Sequence, residues 1–303
     1  MYSEIGFNPE IRRPGFVLNN TELNYAKSVQ GEMRTAIDPT KFKDYDQRMV
    51  AEDIRSVIEA KKKFNDSPDD LERKKLSDAT EHLIQDQIEI NNWFGADVFM
   101  IPSSEYDDIF KGFDAFVEFP DLSHLGLALD FTFSSAPEKK YNRIKSEIDK
   151  GIPPSAKYFE SEHIVGRLKS VVRCVIEVDR PVVDDLMAKE LRLKHYRQTE
   201  DRESIRKTRK ELESHPLQID LLQQLLSQLS VYRAYATYNK KQKFVDLYTL
   251  IEKNVEQIYE SRLKWLRENP NMQESMDSQM SKIPIYGKDK VQKMLLSSFT
   301  ESS

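Results

Sequence analysis

The spacing of apolar positions changes period several times along the chain. Residues 1–40 show no sustained period and carry Pro9, Pro14 and Pro39, so they are expected to be irregular. Residues 42–64 then place Met49, Ile54, Val57 and Ile58 at helical spacing among Lys and Asp. A second helix is expected to follow the turn at residues 65–70. Ser67 is placed to cap it, Pro68 suits its first position, and Asp69 and Asp70 favour the positive end of its dipole. Its pattern runs to about Phe94, with Gly95 as a left-handed stop.

From Ala96 the period shortens. Residues 98–101 read as a short buried strand closed by Pro102, and residues 112–119 and 125–134 as a strand-turn-strand run. Ser135 and Glu138 have capping-box spacing and open a helix that turns Tyr141, Ile144 and Ile148 inward and stops at Gly151. Residues 156–159 and 171–178 read as strands, the second apolar enough for a central place in a sheet. Past Pro181 the helical period holds to about residue 268. Leu217, Leu221, Leu222, Leu225 and Leu229 form one stripe; Phe244, Leu247, Ile251, Val255 and Ile258 form another. Two facing helices joined near Asn239 and Lys240 would bury both.

This order predicts an α/β fold: a small mixed sheet in a helix-strand-strand-strand-helix-strand core, flanked by N-terminal helices and a C-terminal helical hairpin. The expected division is an irregular and helical arm (1–68), the α/β core (69–185), a helical region (186–269) and a polar tail (270–303) expected to be mostly disordered. The tail holds one apolar patch at residues 283–286, a possible docking segment. Ordinary packing puts the hairpin over the core; the alternative is a homodimer through the C-terminal helices.

Composition narrows the class. Of 303 residues, 39% are hydrophobic and 32% charged, which suits a soluble globular chain with much solvated helix. Nine glycines are few for a large all-β fold with many tight turns. A net charge of −5 argues against coating nucleic acid nonspecifically but leaves room for a local basic groove. Residues 192–213 mix both signs densely and read as a solvated face. The lone Cys174 lies in an apolar run, which fits a buried thiol in a reducing, cytoplasmic setting. No basic-then-apolar opening suggests a signal peptide. No apolar stretch reaches the ~20 residues of a membrane span.

The chemistry concentrates in the strand-turn-strand run. Asp114 and Asp130 are set among apolar residues, where an ionised carboxylate loses solvation and needs compensation. A divalent cation shared by the two would supply it. On its strand, Asp130 shares a pleat face with Ala128 and Thr132; Asp114 shares one with Glu118, a possible extra ligand. Asp107 and Asp108 are expected in the preceding loop. The five histidines show no zinc spacing, and no Gly-rich phosphate loop or G-x-S-x-G elbow is present.

Around these residues, the element order from 69 to 178 resembles the PD-(D/E)xK nuclease superfamily, the restriction-endonuclease-like fold. The 125–134 run is also similar to uncharacterised bacterial proteins. The resemblance implies Asp114 as the first motif acid, Asp130 as the second, and Glu81 on the first helix as a third, with Glu89 as its substitute. It implies Mg²⁺ or Mn²⁺ held by Asp114, Asp130 and the backbone carbonyl of Phe131, and a nucleic acid substrate, DNA or RNA. The motif lysine should stand two residues after Asp130, where this chain has Thr132. Some members take it from the following helix. There Lys140 lies about 40° from the inward Ile144 and Lys139 about 140° away, so Lys140 is the expected candidate, with Lys157 a third. Two functions stay open: a metal-dependent nuclease hydrolysing phosphodiester bonds, and a catalytically inactive protein of that fold that binds a partner or nucleic acid through its helical hairpin.

Overall fold

The computed structural model describes residues 16–33, 36–64, 68–119, 126–132, 137–162, 164–282 and 299. The first strand of the sheet, β1 (Phe99–Pro102), pairs antiparallel with β2 (Ala115–Glu118), and β2 antiparallel with β3 (Gly126–Thr132). A separate two-stranded hairpin joins β4 (Ala156–Glu160) and β5 (Val165–Leu168). The last strand, β6 (Val171–Glu177), returns to lie parallel to β3, giving the mixed order β1-β2-β3-β6. Every residue of β3 and β6 is buried: Leu127, Leu129, Cys174 and Ile176 pack in the main core with the helices, and Ala128 and Val171 pack with Ala156, Phe159 and Leu168 of the β4–β5 hairpin.

The helices follow the sequence in part. Segment 1–40, expected to be irregular, contains α1 (Asn20–Val29), opened by a capping box in which Asn19 and Glu22 satisfy each other's backbone N–H groups. Tyr25 and Val29 tie it to the core. Helix α2 (Gln47–Phe64) precedes α3 (Pro68–Ile90), which begins at Pro68 as expected; Ser67 lies outside the described residues. Helix α4 (Glu105–Lys111) occupies what was expected to be a loop. Ser104 caps it by accepting from the Asp107 N–H, and Gly112 closes it at φ 64°. Helix α5 (Glu138–Lys150) crosses from β3 toward the β4–β5 hairpin. Its N-cap is Pro137, with no side-chain cap. Ser135, expected to cap it, lies outside the described residues.

Helices α6 (Arg180–Gln198), α7 (Arg202–Glu213), α8 (Leu217–Tyr238) and α9 (Gln242–Glu268) complete the cover. The two apolar stripes of α8 and α9 meet in the main core, around a reversal at Lys240 with φ 57°. Chain from residue 270, expected to be mostly disordered, forms α10 (Pro270–Met280) with Met276 and Gln279 buried. Gln279 donates to the Glu211 carbonyl at 3.0 Å, so a hydrogen bond helps hold a helix that has few apolar residues. Phe299 packs between Tyr232 and Tyr235, each 5.1 Å away. The 283–286 patch lies outside the described residues.

Strand β6 stands at the end of the sheet order rather than at its centre. Its outer edge is closed by side chains of α8. Gln228 accepts from the Val175 N–H (2.8 Å) and donates to the Val175 carbonyl (2.7 Å). One turn earlier, Gln224 does the same for Glu177, at 3.1 and 2.9 Å. The amide of glutamine repeats the donor-acceptor pair of a peptide group. The two glutamines thereby replace a missing strand and satisfy an edge that would otherwise be buried unpaired.

Gly112 links α4 to the site below. Its left-handed backbone disfavours any side chain, and an added Cβ would meet Arg143 Nη1 at 2.6 Å and Arg173 Nη1 at 3.3 Å. Gly112→Ala is expected to cost about 1–2 kcal/mol from the backbone alone, read by urea unfolding, and to displace the exposed Arg143 side chain.

Candidate active site

Four elements converge on one cavity of about 480 Å³: α3, α4, the β2–β3 pair and α5. Asp114 immediately precedes β2. Its N–H extends the ladder to the Leu129 carbonyl (3.0 Å), and its Oδ2 accepts from the Phe131 N–H at 2.6 Å. Asp130 lies on β3 and is buried at 6% exposure. From the first turn of α5, Lys140 donates to Asp130 Oδ1 and, at 2.6 Å, to the Phe131 carbonyl. Lys140 is half-buried in the cavity while Lys139 is exposed.

Glu81 lines the same cavity from α3 and accepts from Ser77 Oγ at 2.9 Å. Asp108 lines the cavity from α4 and is within hydrogen-bonding reach of Asp114. A pair of carboxyls can bond only by sharing a proton. The ionisation reflects that crowding. Burial, then the charges of Glu81, Asp130 and Asp108, hold the Asp114 carboxyl well above its usual range, with Lys140 opposing. Burial and the neighbouring Asp78 push Glu81 up to about 7. Asp108 is raised to about 6, first by burial, while Lys74 counters Asp78 and Asp130. Lys74 is also the ion-pair partner of Asp78, at 3.0 Å.

Behind Asp130 stands Arg173, whose side chain is 1% exposed. It donates to the Gly112 carbonyl (2.6 Å) and to Glu147 (3.1 Å), lies 4.0 Å from Asp130 Oδ2, and covers the Phe113 ring at 4.3 Å. Arg173 and Lys74 are not among the residues the sequence singles out, and Asp108 is expected in a loop, from which it could reach an ion through water, rather than on a helix. The available signal for Arg173 was its place as a full charge inside an apolar strand, which demands a buried partner.

Other expected residues are elsewhere. Glu89 accepts from the Met100 N–H (3.1 Å), and Glu118 from Ser161 Oγ (2.6 Å). Lys157 pairs with Asp53. Asp107, in a helix rather than a loop, is buried and accepts from the N–H groups of Lys157 (2.8 Å) and Tyr158 (2.9 Å), which fixes α4 to β4.

Carboxylate and carbonyl oxygens are the hard donors that Mg²⁺ and Mn²⁺ take, and burial followed by neighbouring acids raises the proton affinity of Asp114, Glu81 and Asp108. By donor chemistry the residues fit such an ion. By arrangement they do not yet: among the described residues, no three of His, Cys, Asp and Glu are placed to hold a metal. The Lys140 ammonium lies on Asp130 and the Phe131 carbonyl, two of the three groups expected to bind the ion.

A pH prediction follows from the raised carboxyls. Each binds its proton more tightly folded than unfolded, so its contribution is present at acid pH and lost as pH rises through the folded value. For Glu81 the window lies between about 4.5 and 7. In chelator, denaturant titrations are expected to show stability falling across that window, and Glu81→Gln to flatten the fall. An unchanged slope in the variant would contradict the assignment.

Comparison with family models, curated proteins and solved structures yields no match to this chain. The mixed α/β architecture with flanking helices is therefore established from the chain itself. Among the described residues, no helix is long and apolar enough to cross a membrane.

Proposed function

We propose that this cavity is a phosphodiester-hydrolysis site of the nuclease type, acting on DNA or RNA with Mg²⁺ or Mn²⁺. The observation that carries the reading is the position of Lys140. Helix α5 supplies to Asp130, beside Asp114, the ammonium that Thr132 cannot supply from the strand. Asp114 and Asp130 would hold the ion, with Lys140 released from Asp130 toward substrate. When bound there, the ion would supply Lewis acidity to a phosphate oxygen and to an attacking water. Lys140 would balance the charge that develops on the phosphate, while Arg173 holds Asp130 from behind. Glu81 and Asp108 accept and hold protons at the cavity wall.

A second reading has its own observation. Lys140 and Arg173 already supply Asp130 with positive charge, so the same residues would serve a nuclease-like fold that has given up the ion and binds without cleaving. The experiment that separates them incubates plasmid, single-stranded DNA and RNA with the full chain in Mg²⁺ or Mn²⁺, beside Asp130→Asn. Cleavage by the wild type alone supports hydrolysis. Equal cleavage by both proteins, or none by either, removes it.

A further inference from the structure

On the other side of α4 lies a second cavity, of about 450 Å³, that the reading above does not use. Tyr106 and Asp108 are two positions apart on the helix, about 200° around its axis. Asp108 lines the acid cavity and Tyr106 the second one. The second wall is aromatic: Tyr106 and Tyr45 are half-buried, and both rings pack around the buried Tyr158, at 5.9 and 5.6 Å. The exposed Met49 side chain adds an apolar edge.

Its charge is basic, and part of that charge is uncommitted. Lys157 is taken by Asp53. Lys111 and Arg167 also line the cavity, and among the described residues neither has an ion-pair partner. The one carboxylate in the lining, Asp46, already accepts from the Arg48 N–H at 2.9 Å in the first turn of α2. The tyrosines are fixed as well. Tyr45 Oη donates to the Lys157 carbonyl at 2.9 Å, and Tyr158 Oη to Asp53 at 2.5 Å, so both rings are held in place without closing the cavity.

Aromatic faces beside unpaired cations match one ligand chemistry, a planar base carrying a phosphate. A purely apolar ligand would leave Lys111 and Arg167 desolvated, and a bare anion would make no use of the rings. We propose that this cavity binds a nucleotide unit, its base against Tyr45 and Tyr106 and its phosphate on Lys111 and Arg167. The unit is either a free mononucleotide or one residue of a single strand. The proposal does not rest on hydrolysis in the acid cavity.

The test titrates the full chain with labelled AMP and UMP in one arm and labelled eight-nucleotide dT and U strands in the other, in chelator so that no cleavage occurs. Wild type is compared with Arg167→Glu, Tyr106→Ala and, as the control, a charge reversal at the exposed Lys253 of α9, Lys253→Glu. Arg167 is exposed, so its reversal leaves the core intact; circular dichroism checks each variant. The expected result is binding weakened about tenfold or more by Arg167→Glu and by Tyr106→Ala and unchanged by Lys253→Glu. Loss in the mononucleotide arm assigns a free nucleotide; loss in the strand arm alone assigns single-stranded nucleic acid. No binding in either arm, or binding indifferent to both cavity variants, overturns the proposal.

Discussion

Lys140→Met is expected to lower phosphodiester cleavage by on the order of 10²–10³-fold, the usual consequence of removing one charge-stabilising donor from a buried site. Lys139→Met, one residue away, is expected to leave it unchanged. The contrast isolates position from net charge, because both variants lose one positive charge. Lys140 reaches Asp130 and the Phe131 carbonyl, whereas Lys139 is exposed. Lys140→Arg is expected to restore part of the rate, since a guanidinium keeps the charge but fits the ammonium's place poorly. The measurement is the initial rate of cleavage of the best substrate at saturating Mn²⁺. Equal rates for the Met variants would show that the charge at Lys140 has no special role.

The second large effect concerns stability. Gln228→Met keeps the length of the side chain and removes its amide. Val175 N–H and C=O then lose their partners on the closed edge of β6, and Tyr232 Oη loses the acceptor it holds at 3.0 Å. Each stranded buried group costs about 1–3 kcal/mol, so a loss of about 3 kcal/mol or more is expected in urea unfolding. Gln223→Met serves as the control on the same helix, because its amide bonds only the half-buried Tyr259 Oη, at 2.7 Å, and no sheet backbone. A Gln228 variant within about 0.5 kcal/mol of wild type, the range of an ordinary surface change, would mean that water reaches this edge.

How far the fold could be read ahead of the structure depended on how strongly each segment declares a period. The strand carrying Asp130 and the helix carrying Lys140 declare themselves, since apolar spacing fixes both the element and its phase. That was enough to choose Lys140 over Lys139. Asp114 and Glu81 also reach the cavity, and for Glu81 the guide was the resemblance, because α3 buries residues all round much of its length. Helix α4 was not legible: seven residues between Ser104 and Gly112 are too few to show a period. Asp108 was therefore expected in a loop rather than on a helix at the cavity wall. Strand β5 is half exposed and interrupted by Gly166, so it offers no alternation. The capping pair Asn19 and Glu22 was present in the sequence, yet the prolines around it drew the segment toward irregular structure. Strand β6 looked central because its edge is covered by a helix, and glutamines in a leucine-rich helix carry no mark of sheet pairing.

The same limits apply to the electrostatics. A sequence places acids near one another but does not reveal which of them find a cation. Here Asp130 finds two, Lys140 and Arg173, while Asp114, Glu81 and Asp108 remain crowded and proton-hungry.

Uptake of a divalent cation by this crowded cluster is decided by titration calorimetry with Mn²⁺ on the full chain at pH 7.5. Saturable uptake of a single ion is expected, abolished by Asp114→Asn and weakened by Asp130→Asn. Absence of any binding heat in the folded wild type, or binding that survives in Asp114→Asn, would contradict it.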